Sequence, residues 1–599
     1  MGQQLYWYVN IGTAIRSAGQ VLLERPASLL PVYLLVLGIT AVTRVPILVG
    51  IAVAIGLLVA DGRLEALFEA IEAVDFEALE ETGAEGDVDP DAIPTELETA
   101  VLDVLSVEIA AILSLAVMLA VVVSIVSNGI SNAAAINGVY GCLYDGDGVA
   151  DAVVGVGRDW KAFVGIVLVQ IAIVLVGIVP LGIGVSLVVV SPVAGIAATL
   201  IGGLLSATLI LGGLLAVAFA GQSIVVEGTT LGGAIRRSAG FPVREPLSFL
   251  AYVLVALGVF GSLAVLGALF GVLGVSQLTG IISPLVAIPF VDAFKTALYA
   301  ERPFVSRSVQ TQREPSAVVT DGGSDRPDGD EAETDASKRE DEAETDASKR
   351  ESDAGDTQTG ASEPDTDSEH TAPNEPAAGI LEDESQPQSG QQPQSERHSP
   401  AYRHQFVAAF RDGLKAVGEF TRGQPGSMLA ATVLFVAAAA AGWLVTAEFA
   451  IDLPTDEGVG EVFGTIPIGA FVMIAANNWL VSATAVFGGV ALGVPTAVDM
   501  LLNGFIIGLV AGVVEPIVFL ALVGPHGIIE VPAILIAGGL GLHVGMTVAG
   551  VLRGTQSSFD LAEVLRLAYR VLLGLAIILI VAAFVEAFLT PPIAEFVLS

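Results

Sequence analysis

Long apolar runs dominate the chain. In the first 300 residues six stretches stand out: Ser28 to Ala60, Glu108 to Asn128, Phe163 to Val190, Val193 to Ala220, Phe249 to Val275 and Ile281 to Leu298. After residue 400 five more follow: Met428 to Ala447, Ile466 to Val490, Ala497 to Val523, Ile528 to Leu552 and Ala568 to Phe588. At a rise of about 1.5 Å per residue, each is long enough for a hydrocarbon core of about 30 Å. Their apolarity is continuous, with Gly and Ala scattered through it, unlike the short alternating strands of a membrane β-barrel. A lone crossing segment in lipid must satisfy its own backbone, so these runs predict helices. The expected fold is an all-α integral membrane protein with two polytopic bundles of six and five spans. In the first run, Arg44 and Pro46 divide the apolar residues, which fits either one kinked crossing or a re-entrant hairpin.

The two groups are separated by a segment of opposite character. Residues 303–400 are rich in Ser, Asp, Glu, Gln, Pro and Gly and contain the tandem repeat Asp330 to Glu340 and Asp341 to Glu351. Nothing in it offsets the entropy of ordering, so it is expected to be a disordered linker between membrane domains at 1–302 and 401–599. The composition agrees: 53% of the 599 residues are hydrophobic and 15% charged, well below the quarter usual in soluble domains.

Charge changes the picture in two ways. The net charge is −38, of which residues 301–400 carry −17 and residues 61–107 carry −14. Acidity confined to water-exposed segments points to a salt-rich setting, as in a halophilic archaeon, and away from nucleic acid as a partner. Lys and Arg, in contrast, collect on alternate connections: Arg16 and Arg25, Arg158 and Lys161, Arg236, Arg237 and Arg244, then Lys295, Arg302 and Arg307. Counting Ser28 to Ala60 as one crossing puts every basic connection on the cytoplasmic side. The N-terminus and linker are then cytoplasmic and the C-terminus outside the cell membrane. No cleavable leader is expected, and the lone cysteine, Cys142, excludes an intrachain disulfide.

Amphipathic segments precede the membrane entries. Ile11-Gly-Thr-Ala-Ile-Arg16 leads to Pro26-Ala-Ser28, and Leu231-Gly-Gly-Ala-Ile-Arg236 leads at the same spacing to Pro246-Leu-Ser248. Each pair predicts an interfacial helix followed by a Pro-initiated span. Phe406, Phe410, Leu414, Val417 and Phe420 oppose Arg403, Arg411, Lys415 and Arg422, which predicts another helix on the inner leaflet before Pro425.

Polar residues within the last five runs are the candidates for function, because such groups are costly in lipid and normally face protein. They are Asn477 and Asn478, Asn503-Gly504 with Gly508, Glu515-Pro516, and His526-Gly527-Ile-Ile-Glu530. His526 and Glu530 share a helical face, and Pro525 before them fits a helix start. Their order, with Ala533 and Ala537-Gly-Gly539, resembles the signature of the stage II sporulation protein M family over about residues 406–588. The resemblance implies a five-span membrane domain whose relatives organise cell-wall hydrolases rather than catalyse.

The leading expectation is therefore a non-enzymatic scaffold or envelope-organising protein, without cofactor, whose partners are the lipid bilayer and other membrane or envelope proteins. In it Asn477, Asn478, Asn503, His526 and Glu530 tie helices together. The alternative is a transporter or channel with Glu515 on its path. An enzyme is the least supported reading: His526 and Glu530 supply two metal ligands, His543 lies 17 residues further along the same span, and Glu515 is a third only by proximity.

Overall fold

The computed structural model describes residues 2–74, 95–301, 402–447 and 467–598, and every regular element among them is helical. The expected linker at 303–400 and the acidic loop from Glu448 to Glu461 lie outside the described residues. Among the described residues, eleven helical stretches are long and apolar enough to cross a membrane, in the order the hydropathy predicts.

The chain opens with α1 (Gly2–Glu24) and turns at Arg25, and Pro26 occupies the first position of α2 (Pro26–Ala41). A 3₁₀ turn at Val42–Arg44 leads directly into α3 (Val45–Ala60), with right-handed torsions at Ala41, Val42, Arg44 and Val45. The run divided by Arg44 and Pro46 is thus one helical rod that does not reverse. Helices α4 (Arg63–Glu72) and α5 (Thr95–Val104) pack together beyond it.

Next come α6 (Val107–Leu143) and α7 (Gly148–Gly177), followed by α8 (Val179–Val190) and α9 (Pro192–Ala216). The first of these extends fifteen residues past the expected end at Asn128. Leu115 and Val122 in its first half are more than half exposed, whereas Ala133, Ala134 and Val139 in its second half are fully buried. The second half is rich in Ala, Gly and Asn, so its hydropathy falls below that of the first, but α2, α7 and α14 pack on this helix. Arg158, expected on a connection, lies inside α7 and bonds Asp159 at 2.8 Å and Asn137 at 3.1 Å.

The first group finishes with α10 (Ala220–Glu227), α11 (Leu231–Arg244), α12 (Pro246–Val272), α13 (Gln277–Ile282), a π turn at Ser283–Ala287 and α14 (Ile288–Ala300). Lys295, expected after the sixth span, sits within α14 with its ammonium 5.6 Å and 5.5 Å from the Phe219 and Tyr252 ring centres. One turn away, Tyr33 donates to Asp292 at 2.9 Å. Rather than lying free at an interface, α1 packs on α14 and buries Ala14, Ala18 and Val21.

The second group is α15 (Tyr402–Gly423), α16 (Pro425–Thr446), α17 (Ile468–Gly488), α18 (Val494–Val513), α19 (Pro516–Leu552), α20 (Ser558–Phe584), a π turn at Val585–Leu589 and α21 (Thr590–Leu598). Here α15 packs along α20, with Gly413 against Gly574, rather than only on a leaflet. A capping box of Ser557 and Asp560 starts α20. Its buried Leu561, Leu565, Ala568, Leu572, Leu575, Leu579 and Ala582 alternate spacings of four and three, the seam of a helix gripped along its length.

One core joins the two groups. Leu34 and Leu35 of α2 share it with Phe487 of α17 and Leu572 and Leu575 of α20. Gly38 lets α2 approach the backbone at Phe487, where any Cβ would collide. At the basic end of the bundle, Arg25 pairs with Asp145, and Arg566 of the second group pairs with Asp147 of the first.

Candidate functional site

Two of the family-motif glycines, Gly504 and Gly508, sit where helices touch. On α18, a Cβ at Gly504 would run into the Phe435 carbonyl of α16, and one at Gly508 into the Ala439 carbonyl. Gly442 of α16 meets the Phe505 carbonyl in return. Small residues on both helices thus bring two backbones together, and packing in lipid depends on such close approach. Thr446 adds a cross-helix bond to the Leu509 carbonyl at 3.0 Å.

The asparagines behave differently from expectation. Asn477 donates to its neighbour Asn478 at 3.4 Å, and Asn503 donates to the Asp499 carbonyl of its own helix at 2.8 Å. Among the described residues, the bonds between helices come from other side chains. Thr496 donates to the Ala485 carbonyl at 2.6 Å, and the Trp479 indole donates to the Leu572 carbonyl at 3.3 Å. Thr and Trp are ordinary components of apolar runs, so no sequence signal marked them.

The fourth span also departs from the sequence reading. The third span was expected to continue to Val523, but α18 ends at Val513, Val514 and Glu515 are extended, and Pro516 opens α19. Pro525 lies inside that helix, so His526 and Glu530 stand in its third and fourth turns and not in the first. A proline inside a membrane helix leaves one carbonyl without its usual donor, which neighbouring helices tolerate. Glu515 is exposed in the link between α18 and α19, at the start of α19. Gly527 meets only the Val523 side chain at 3.4 Å, so its lack of a side chain is not a packing requirement.

His526 and Glu530 do share a face, and the structure brings a third residue to them. Glu586, on the π turn after α20, completes a group in which one ligand atom from each residue lies within 4.8 Å of the others. All three are half-buried. His526 Nδ1 is shielded and has no hydrogen-bond partner among the described residues. Phe471 of α17, Phe584 and Phe588 pack edge to face or stacked beside the turn, at ring distances of 5.0 to 6.4 Å. The third residue is Glu586, not Glu515 or His543. Its only sequence signal was an acidic residue inside the last apolar run. Glu530 lies 22 positions, about 33 Å, from the Leu552 end of α19 and 14 positions, about 21 Å, from its Pro516 end, so the group sits within the length of the helix, well away from the basic end.

Between the two groups of spans lies a cavity of about 590 Å³. Its walls are aliphatic, including Leu35, Val122, Val153, Val551 and Leu565.

The family model described as Stage II sporulation protein M matches residues 431–591, from the second turn of α16 through the π turn that carries Glu586 to the start of α21. An uncharacterized protein of Methanocaldococcus jannaschii is 30% identical over 134 residues, which are 22% of this chain and 75% of that protein. No solved structure matches. Through this C-terminal region, the chain belongs to the Stage II sporulation protein M family.

Proposed function

We propose that the chain is a non-enzymatic membrane scaffold that organises other membrane or envelope proteins. The observation that carries this reading is how the family motif is used. Gly504 and Gly508 hold α18 against α16, while Asn477 and Asn503 bond within their own helices. A transport path asks polar groups to face one another along a route. The space between the two groups of spans is instead lined by aliphatic side chains.

In this proposal the bundle sits in the cell membrane with its N-terminus and residues 303–400 in the cytoplasm and its C-terminus outside. Arg25 and Arg566 gather at one end, on the neighbouring acceptors Asp145 and Asp147, and the positive-inside rule would make that end cytoplasmic. Purification of the tagged chain in mild detergent is expected to recover partner proteins in stoichiometric amount. Repeated recovery of the chain alone would contradict the scaffold.

One observation favours a transporter instead: Glu515, an exposed carboxylate, stands in the two-residue link between α18 and α19, and α19 carries Pro525 and Pro532 further along. Proteoliposomes separate the readings. Ion flux that Glu515→Gln abolishes supports transport, and no flux for any tested ion leaves the scaffold.

A further inference from the structure

We infer that His526, Glu530 and Glu586 form a binding site for one divalent transition-metal ion of the zinc class, well away from the basic end of the bundle. The site stands independently of the scaffold reading. Two of the residues are one helical turn apart on α19, and the third arrives from the π turn at Val585–Leu589, 56 positions later in the chain. The donor set is one imidazole nitrogen and two carboxylate oxygens, all within 4.8 Å of one another. Ligand atoms about 2.1 Å from a tetrahedral ion stand about 3.4 Å apart, so ordinary side-chain rotation closes the group.

Charge supports the assignment. Two carboxylates this close repel strongly where water is partly excluded, and among the described residues no cation pairs with Glu530 or Glu586. A divalent ion balances the two negative charges, giving a neutral site in a low-dielectric region. It also gives a lone pair of His526 a partner, and Nδ1 otherwise lacks one. The nitrogen favours zinc, cobalt or nickel over calcium and magnesium, which prefer oxygen alone.

The site has a mechanical consequence as well. π turns shift the register of a helix by one residue, and this one brings Glu586 to α19 while Phe584 and Phe588 stack on the other side. A bound ion would pin the end of α20 to α19, with three protein ligands and a fourth position left for water or a partner's side chain.

The full-length protein in detergent, stripped with chelator, is the material for the test. Titration with Zn²⁺ is expected to show one saturable site and a rise in melting temperature, and Co²⁺ to give the visible d–d bands of a four-coordinate ion. H526A, E530Q and E586Q should each lose the bands and weaken Zn²⁺ binding at least about tenfold while eluting as the parent does. Because E530Q and E586Q keep side-chain size, a folding defect in one variant leaves the other two to decide. Mg²⁺ at the same concentration should produce no shift. Absence of saturable Zn²⁺ binding by the parent, equal binding by all three variants, or an equal response to Mg²⁺ would overturn the assignment.

Discussion

Helices α12 and α20 are each 27 residues long, and their apolar windows have mean hydropathies of 2.5 and 2.8. Their surroundings are opposite. Ser248 is the one buried residue of α12, whereas eleven residues of α20 are buried against α2, α7, α15, α17 and α19. Lipid and protein interior are both apolar, so hydropathy identifies a span without saying which of the two it faces. What separates the two helices is where the small residues fall. In α20, Gly574 lies against Gly413 of α15, while Gly258 and Gly261 of α12 face open space.

Substitution at close-packed glycines should break this contrast most sharply. Gly508→Val drives a branched side chain into the Ala439 carbonyl, so α16 and α18 must separate. The expected loss is about 3 kcal/mol or more, seen as a collapse of the monodisperse peak in size-exclusion chromatography. Gly258→Val on α12 should leave the peak unchanged. Equal damage from both would mean that α12 is also covered by protein in the membrane.

A smaller effect is expected from deletion of one side chain in each helix. Leu575 is fully buried and Leu257 is 66% exposed. Leu575→Ala should cost about 2 kcal/mol, the low end for core leucines, because a lipid-facing reference removes much of the transfer part and leaves the cavity. Leu257→Ala should lie within about 0.5 kcal/mol of the parent by thermal unfolding in detergent.

The number and order of the spans were legible in the sequence because crossing a bilayer needs continuous apolar length. Their ends were not. Residues 129–143 of α6 are too rich in Ala, Gly and Asn to register as membrane, yet stay helical in a helix on which α2, α7 and α14 pack. Pro525 reads as a helix start, but Pro516 takes that role and α19 runs through Pro525 and Pro532. Of the candidate site, the pairing of His526 with Glu530 was readable from their spacing of four. Glu586 was not, since no periodicity links residues 56 apart and the π turn that delivers it has no sequence signature. The contacts of Thr446, Thr496 and Trp479 escaped notice because they reach backbone carbonyls, which any sequence provides.

The ion pair of Arg566 with Asp147 links the two groups of spans at a partly exposed position. Arg566→Ala should therefore cost less than about 1 kcal/mol, and the difference should shrink further at high salt. A larger, salt-independent loss would make that contact part of the core. The smallest change is expected at Gly527, which has room for a methyl group. Gly527→Ala should raise the melting temperature slightly, by a few tenths of a kcal/mol up to about 1 kcal/mol, as alanine favours the helix. Unchanged stability with lost Zn²⁺ binding would instead tie this glycine to the neighbouring His526 and Glu530.

The two groups of spans form one body through α2, α17 and α20, whatever joins them in sequence. The most direct test is to place a protease site within residues 303–400, cut the purified protein in detergent and pull down a tag on the N-terminal half. The halves are predicted to remain together in equal amounts and to melt in one transition. Separation of two folded halves after the cut would contradict the account.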